Sequence, residues 1–233
     1  MTIVVGFTGY AGAGKDTFAD SVKAELVRKG LKVKSLDYAT PIREIAAALG
    51  LKPYDRELKE VAATIRFEHF ELALADAVAE QLEGSLGADD LADLFAYTAT
   101  ALRSGGYVDG QTLTISPRRF CQLLGTEGGR KVRDTLWIDV YRARCAAYGD
   151  TLDVVFCPAV RFPNECYPLD VLIGVNRPDV VPVEAHESES YIGQLIDDAT
   201  IVFDNVAGLS ELHAEAKALA EFISTGRGYG NVA

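Results

Sequence analysis

The spacing of apolar residues over the first fifty positions predicts alternating strands and helices. Residues 2–8 form an apolar, β-branched run that is typical of a buried strand, and apolar residues recur at helical spacing over 18–27. A second strand is predicted over 31–37, followed by a helix over 41–49 that begins with a proline. The order strand, helix, strand, helix favours an α/β fold built on a parallel sheet.

The next stretch of the chain has a mainly helical pattern. An apolar series at helical spacing predicts one long helix over residues 54–83, and a further helix is predicted over 89–103. Residues 108–115 are a candidate hairpin arm. We interpret residues 51–116 as a helical insertion on the substrate side of a single domain that spans 1–233.

Residues 116–148 predict two more helices. Ser116 and Pro117 are suited to the N-cap and the first helical position. Gly125 is predicted to end this helix, and residues 126–129 to form a turn. A second helix is predicted over 134–148.

The remainder of the chain predicts the rest of the sheet. Three further strands are predicted, at residues 152–157, 171–176 and 200–205. The polar residues within 177–199 indicate a flap, and a helix over 209–223 is followed by a tail that we expect to be frayed. The pattern therefore predicts a central parallel sheet of about five strands with helices on its faces.

Composition narrows the class of protein. The chain has 233 residues and a formal net charge of −11, which argues against a nucleic-acid polymer as partner because no broad basic field is available. Four cysteines show no metal-ligand spacing, so we expect reduced thiols. No signal peptide and no membrane-spanning apolar run are evident, and we expect a cytoplasmic protein without a membrane partner.

Residues 9–17, Gly-Tyr-Ala-Gly-Ala-Gly-Lys-Asp-Thr, lie between the first predicted strand and helix. In that context a Gly–x4–Gly–Lys pattern predicts a phosphate-binding loop, whose backbone N–H groups cradle anions while Lys15 reaches the phosphates of a nucleotide. The predicted nucleotide contacts are Gly9, Gly12, Ala13, Gly14, Lys15, Asp16 and Thr17. Asp16 stands where Ser or Thr normally binds Mg²⁺. The alternative, a glycine-rich turn with a capping Asp16, is less consistent with the flanking strand and helix.

Charged residues follow several predicted strand ends, where ligands bind in parallel sheets. Asp37 ends the second predicted strand and Arg43 lies in the next helix, while Arg161 and Glu165 follow the strand at 152–157. Further arginines suited to bidentate phosphate contacts are Arg118, Arg119, Arg130 and Arg133. For each, a solvated surface arginine is the alternative interpretation.

Several of these blocks together resemble the phage-type deoxynucleoside monophosphate kinases of the P-loop kinase superfamily. The matching blocks are residues 9–17, 117–130, Trp137, 161–165, 186–189 and 201–209. The resemblance implies a P-loop kinase fold and transfer of the γ-phosphate of ATP to a deoxynucleoside monophosphate (dNMP), with Mg²⁺, giving ADP and dNDP. It implies a role in nucleotide biosynthesis for phage DNA replication, in the host cytoplasm if phage-encoded, and leaves a homodimer open.

The mechanism expected from the residues agrees with this resemblance, because phosphoryl transfer requires positioning and charge neutralisation. Lys15 would hold donor phosphates, Arg130 and Arg161 would offset charge on the transferred group, and Asn205 would border the donor adenine. The candidate substrate-binding residues are Asp37, Arg43, Arg118, Arg130 and Glu165. The candidate metal ligands are Asp16 and Asp37.

One position departs from the family pattern. Ala159 stands two residues before Arg161, where the family carries an aspartate at the end of the strand. Two alternatives therefore stay open: a kinase of another phosphorylated acceptor, such as dephospho-coenzyme A or phosphomevalonate, and a nucleotide-binding module without turnover.

Overall fold

The computed structural model describes residues 2–180 and 190–225, which fall into two compact units. The first unit comprises the described residues of 1–37 and 145–233, and the second comprises residues 38–144. The insertion predicted at 51–116 lies within the second unit, which also includes the flanking residues on both sides.

The first half of the chain contains β1 (Ile3–Thr8), α1 (Lys15–Arg28), β2 (Val33–Ser35), α2 (Thr40–Ala48), β3 (Ala63–Arg66), α3 (Phe70–Leu82), α4 (Ala88–Ser104), β4 (Val108–Asp109) and β5 (Thr112–Ile115). There follow α5 (Pro117–Leu123), a π-helical segment (Leu124–Arg130), α6 (Leu136–Tyr148), β6 (Val154–Cys157), β7 (Val171–Asn176), α7 (Ile192–Asp197), β8 (Ile201–Asp204) and α8 (Leu209–Thr225). Short 3₁₀ turns occupy Gly149–Thr151 and Pro163–Cys166.

The first unit is built on a five-stranded parallel sheet in the order β2-β6-β1-β7-β8. The strand central to this order, β1, pairs Ile3 with Val154 on one side and Val5 with Val171 on the other. All five predicted strands and the parallel α/β class are thereby confirmed. Because the strands are parallel, the loops that follow them all emerge at one edge of the sheet.

One face of this sheet packs against α1 and α8. Phe7 of β1 contacts Phe156 edge to face at a centroid distance of 5.0 Å, and Phe18 of α1 stacks on Phe203 of β8 at 4.5 Å. Leu212 and Ala216 of α8 are buried in the same core. Burial of each large apolar side chain contributes about 1.5–3 kcal/mol. This packing fixes the start of α1, and with it the loop that precedes the helix.

The second unit contains an antiparallel sheet that the sequence pattern only partly predicted. Its order is β3-β5-β4, with Ala63 paired to Ile115 and Arg66 to Thr112. The hairpin predicted over 108–115 is confirmed as β4 and β5, and the helix predicted over 89–103 is α4. The single long helix predicted over 54–83 is wrong, because β3 interrupts it and α3 begins only at Phe70.

The physical reason lies in pairing with a strand far along the chain. The sequence Ala-Thr-Ile-Arg at 63–66 has β-branched residues at its centre, and Thr64 and Thr114 place their hydroxyl oxygens 3.1 Å apart across the two strands. Upstream, the Asp55 carboxylate accepts the N–H groups of Glu57 and Leu58 at 2.9 and 3.1 Å, which favours a turn over a helix. His69 then has an extended backbone as the N-cap of α3.

The helix that begins at Ser116 is confirmed, but its predicted end is wrong. Ser116 Oγ accepts the N–H of Arg119 at 3.3 Å, as expected of an N-cap. Gly125 does not end the helical path, because Leu124–Arg130 continues it as a π-helix where a turn was predicted. The helix predicted over 134–148 is observed as α6, with Trp137 and Tyr141 buried.

The flap predicted over 177–199 is only partly described. Residues 181–189 lie outside the described residues, as does the tail predicted at 226–230. Within the flap region, Ile192–Asp197 forms α7, whose Ile192 and Leu195 are buried in the first unit. Every helix among the described residues is too short or too polar to span a bilayer.

Candidate functional site

The loop between β1 and α1 has the backbone of an anion cradle. Gly9 and Gly14 have φ values of +154° and +90°, which L side chains rarely adopt. A Cβ at Gly9 would lie 2.4 Å from the carbonyl oxygen of Val175, so the loop also approaches β7 too closely for any side chain. Gly14 is the N-cap of α1. The first N–H groups of that helix have no intrahelical partner and face outward from its N-terminus, where an anion is favoured.

Lys15 is the first residue of α1, and its ammonium group is held within the first unit. Its Nζ donates to the carbonyl oxygen of Pro158 at 2.7 Å and lies 2.6 Å from Asp16 Oδ1. The Lys15 side chain is only 13% exposed, whereas that of Asp16 is 79% exposed. Pro158 directly follows β6. The carboxyl edge of the sheet therefore fixes the position of the lysine, and its partner Asp16 faces solvent.

Asn205, which follows β8, holds the glycine loop through a hydrogen bond to its backbone. Its Nδ2 donates to the carbonyl oxygen of Ala13 at 2.9 Å, and its backbone N–H donates to the carbonyl oxygen of Asn176 at 2.8 Å. A Cβ at Gly14 would lie only 2.5 Å from the same Nδ2. The structure thus brings Asn205 together with Ala13 and Gly14 at the carboxyl edge of the sheet.

Arg161 and Glu165 lie on the turn that follows β6. The carboxylate of Glu165 is buried, with 5% exposure of the residue, and its Oε2 accepts the N–H groups of Arg161 and Phe162 at 2.8 and 3.2 Å. The Phe162 ring contacts Tyr191 at a centroid distance of 5.7 Å. Glu165 therefore shapes the backbone that carries Arg161 through two hydrogen bonds to a charged acceptor.

The carboxylates proposed for a metal do not form a closed cluster. No group of three or more His, Cys, Asp or Glu side chains suited to a metal ion occurs within residues 2–180 and 190–225. Mg²⁺ usually takes one or two protein carboxylates together with substrate phosphates and waters. The exposed Asp16 at the loop, and Asp37 two residues beyond β2, are oxygen donors of that kind. The residues present therefore fit a magnesium ion that arrives with a nucleotide.

The arginines proposed to bind the substrate in the second unit differ in the groups that they contact. Arg118 Nη1 contacts Glu60 Oε1 at 2.5 Å with both side chains about half exposed, and the Arg43 guanidinium lies 5.9 Å from the centre of the Tyr54 ring. Arg130 Nη1 is 3.5 Å from the carbonyl oxygen of Asp134.

Two other arginines of this unit bind side chains of neighbouring elements. Arg133 binds Asp90 at 2.5 Å and Asp139 at 3.0 Å, and these interactions, the hydrogen bond to Asp90 foremost, raise the pKa of the guanidinium above its ordinary value. Arg119 donates to the Tyr107 hydroxyl at 3.1 Å and lies 4.0 Å from Glu127. Arg119 and Arg133 therefore have protein partners in this unit, and the phosphate contacts predicted for them stay predictions.

Two features of the site could not be found by motif. The Pro158 carbonyl that holds Lys15 is a backbone group, so no residue type marks it. The π-helical segment that carries Arg130 has only one signal in the sequence, the density of glycine at 125, 128 and 129, which is equally typical of a turn.

Comparison with known proteins adds three findings. A family model described as adenylylsulphate kinase matches residues 1–78. Deoxynucleoside-5'-monophosphate kinase of Escherichia phage T5 is 32% identical over 189 residues, which covers 71% of this chain and 70% of that protein. Cobyrinic acid a,c-diamide synthase from Mycobacterium smegmatis, solved with bound ADP and magnesium, has a TM-score of 0.44 and 16% identity, over 98% of this chain and 83% of that one.

The glycine loop, the lysine that begins α1 and the parallel sheet define a P-loop kinase, a nucleotide-binding phosphotransferase. The family match over the loop and the similarity to the phage enzyme agree with that class. The chain belongs to the phage-type deoxynucleoside monophosphate kinase family.

Proposed function

We propose that this kinase transfers the γ-phosphate of ATP to a deoxynucleoside monophosphate, with Mg²⁺, to give dNDP and ADP. The observation that carries the proposal is the 32% identity to the phage T5 enzyme over most of both chains. The loop geometry supports it, because Lys15 and the start of α1 are arranged as a phosphate site requires.

The donor half of the reaction is assigned to the first unit. The backbone N–H groups at the start of α1 and the ammonium group of Lys15 bind the β- and γ-phosphates. Asn205 holds the loop through Ala13 and borders the adenine. Arg161, on the turn shaped by Glu165, offsets negative charge on the transferred group.

The metal would be held by carboxylates of the same unit. Magnesium supplies charge neutralisation and orientation of the phosphates when it is bound. Asp16 and Asp37 are the proposed ligands, directly or through water, since Ala159 cannot serve. We expect Asp16→Asn or Asp37→Asn to raise the Mg²⁺ concentration needed for half-maximal rate. A magnesium titration that is unchanged in both variants would contradict this assignment.

The acceptor half is assigned to arginines of the second unit, with Asp37 and Glu165 as further candidates for contact with the substrate. Arg43 and Arg118 would bind the phosphate of the acceptor, and Arg130 would contact both that phosphate and the transferred group. Arg118 would exchange its half-exposed contact with Glu60 for the phosphate, which is a small cost because exposed ion pairs contribute about 0–1 kcal/mol.

A coupled assay for ADP release tests the reaction. The acceptor panel contains the four common dNMPs, the matching ribonucleotides, dephospho-coenzyme A and phosphomevalonate. Turnover with one or more dNMPs supports the proposal. Turnover confined to another acceptor would assign a different kinase, and ATP binding without ADP release for any acceptor would identify a nucleotide-binding module.

Single alanine variants of Arg43, Arg118 and Arg130 test the acceptor site. Loss of a charge-assisted hydrogen bond of about 1.5–3 kcal/mol should lower kcat/KM for the dNMP roughly ten- to a hundredfold. The KM for ATP should change less. Arg103→Ala is the matched control, because Arg103 forms an exposed ion pair with Glu71 in the same unit. Unchanged dNMP kinetics in all three variants would remove these arginines from the acceptor site.

A second acceptor class has one specific observation in its favour. The adenylylsulphate kinase model matches residues 1–78, which include the glycine loop but exclude Arg118 and Arg130. Adenylyl sulfate therefore belongs in the acceptor panel. Its phosphorylation in place of every dNMP would favour that second function.

A further inference from the structure

The segment Leu124–Arg130 adopts a conformation that needs support from its surroundings. It is a π-helix, in which the N–H of Lys131 donates to the carbonyl oxygen of Thr126, five residues earlier. Such turns are rare, occur frequently at functional sites and persist where neighbouring groups hold them. The segment ends on Arg130, which the proposed function assigns to the acceptor phosphate and to the transferred group.

One support is a hydrogen bond from the indole of Trp137. Its Nε1 donates to the carbonyl oxygen of Gly125 at 2.9 Å, and the residue is only 4% exposed. The bond joins α6 to the beginning of the π-helical segment. Movement of the segment away from α6 would leave the indole N–H and the Gly125 carbonyl without their hydrogen bond, which is unfavourable in a buried position.

A second support is close packing at the two buried glycines of the segment. A Cβ at Gly129 would lie 2.4 Å from Trp137 Nε1 and 2.5 Å from its Cε2, so the indole rests directly on the backbone. A Cβ at Gly128 would lie 2.4 Å from the Thr98 hydroxyl oxygen of α4. Neither place has room for a methyl group, so the segment is fixed between α4 and α6.

We propose that Trp137 is a positioning residue for the acceptor phosphate, acting through the π-helical segment on Arg130. The inference rests on the proposed function and adds a residue to it. The indole fixes the register of the segment at both Gly125 and Gly129, and the segment fixes where the Arg130 backbone lies. Loosening the segment therefore affects the binding of the phosphate of a nucleoside monophosphate more than the binding of ATP.

Two alanine substitutions within the segment give a matched comparison. Gly129→Ala inserts a methyl group into the indole, whereas a Cβ at Gly125 would lie 3.4 Å from Ile42 Cδ1, an ordinary contact. Both variants gain the same methyl group in the same segment, so intrinsic helix propensity changes equally. Gly129→Ala should raise the KM for dNMP roughly two- to tenfold relative to Gly125→Ala, the effect of one lost hydrogen bond. The KM for ATP should be alike in the two variants.

Trp137→Phe separates positioning from simple core filling. Phenylalanine keeps a six-membered aromatic ring at this position but lacks the N–H group that donates to the Gly125 carbonyl oxygen. A positioning role predicts a rise in the KM for dNMP at a nearly constant KM for ATP. A merely structural role predicts a lower unfolding temperature with both KM values unchanged, which would overturn the inference.

The unaltered protein provides a test that needs no variant. Trp137 is the only tryptophan in the chain, so its emission reports on this segment alone. Titration with the dNMP that the coupled assay turns over fastest should change the emission, and ATP alone should change it less. If that dNMP is phosphorylated but leaves the emission unchanged, or if the two glycine variants have equal KM values for it, the inference is wrong and the proposed function stands. If no dNMP is phosphorylated, both fail.

Discussion

Replacement of Gly14 by alanine should weaken the phosphate loop through its contact with Asn205. Gly14 has φ = +90°, and a Cβ there would lie 2.5 Å from Asn205 Nδ2. The left-handed backbone costs a non-glycine residue roughly 1–2 kcal/mol. Displacement of the Asn205 amide breaks its 2.9 Å hydrogen bond to the Ala13 carbonyl oxygen. A bond of this kind contributes about 0.5–1.5 kcal/mol.

Gly12 supplies the control for the backbone contribution. Its φ is +85°, and a Cβ there would meet nothing within 4 Å. Gly12→Ala should therefore cost only the backbone strain, roughly 1–2 kcal/mol. Gly14→Ala should cost more than Gly12→Ala by about 0.5–1.5 kcal/mol, the contribution of the lost hydrogen bond.

A double-mutant cycle assigns that difference to Asn205. In an Asn205→Ala background the amide is absent, so Gly14→Ala should cost no more than Gly12→Ala. The free energies of unfolding are measured by urea denaturation followed by far-ultraviolet circular dichroism. A cost of Gly14→Ala that is the same with and without the Asn205 side chain would refute the reasoning.

The remaining predictions concern catalysis, an unpaired hydroxyl and thiol reactivity. Lys15→Ala should lower kcat about a hundred- to a thousandfold, whereas Lys23→Ala in the same helix, whose ammonium group donates to Ser35 Oγ, should not. A Lys15→Ala variant as fast as the unaltered protein would refute the phosphate-loop assignment. Thr98 Oγ1 is buried without a hydrogen-bond partner among the described residues. Thr98→Val should therefore leave the free energy of unfolding, measured by urea denaturation, unchanged or raise it by up to about 1 kcal/mol. A clear decrease in that free energy would contradict this. Burial, with smaller contributions from Glu165 and Asp198, raises the pKa of the Cys166 thiol to about 11. The thiol is therefore protonated at pH 8, and its alkylation by iodoacetamide should be slow at that pH. The alkylation rate, followed by mass spectrometry, should increase about tenfold for each pH unit up to the pKa. Rapid labelling at pH 8 would refute the raised pKa.

Several parts of the protein depend only on local chemistry, and these are readable in the amino-acid sequence. The phosphate loop needs glycines at fixed spacing, a strand before it and a helix after it, and all three are contiguous in residues 2–28. The three inner strands β1, β6 and β7 are short apolar runs, because they are largely buried on both faces. Ser116 and Pro117 likewise specify a helix start through side chains that act on their own turn.

Other features depend on partners in segments that the local sequence pattern does not include. Residues 63–66 became a strand because they pair with 112–115, a contact that no periodicity within 54–83 encodes. Gly125 did not end its helix, because Trp137 and the packing of α4 hold a π-helical continuation that a local glycine signal would terminate. Arg133 lies in a network with Asp90 and Asp139, although in the sequence it looks the same as Arg130. In each case a hydrogen bond or close contact from a segment distant in the sequence outweighed the local preference of the chain.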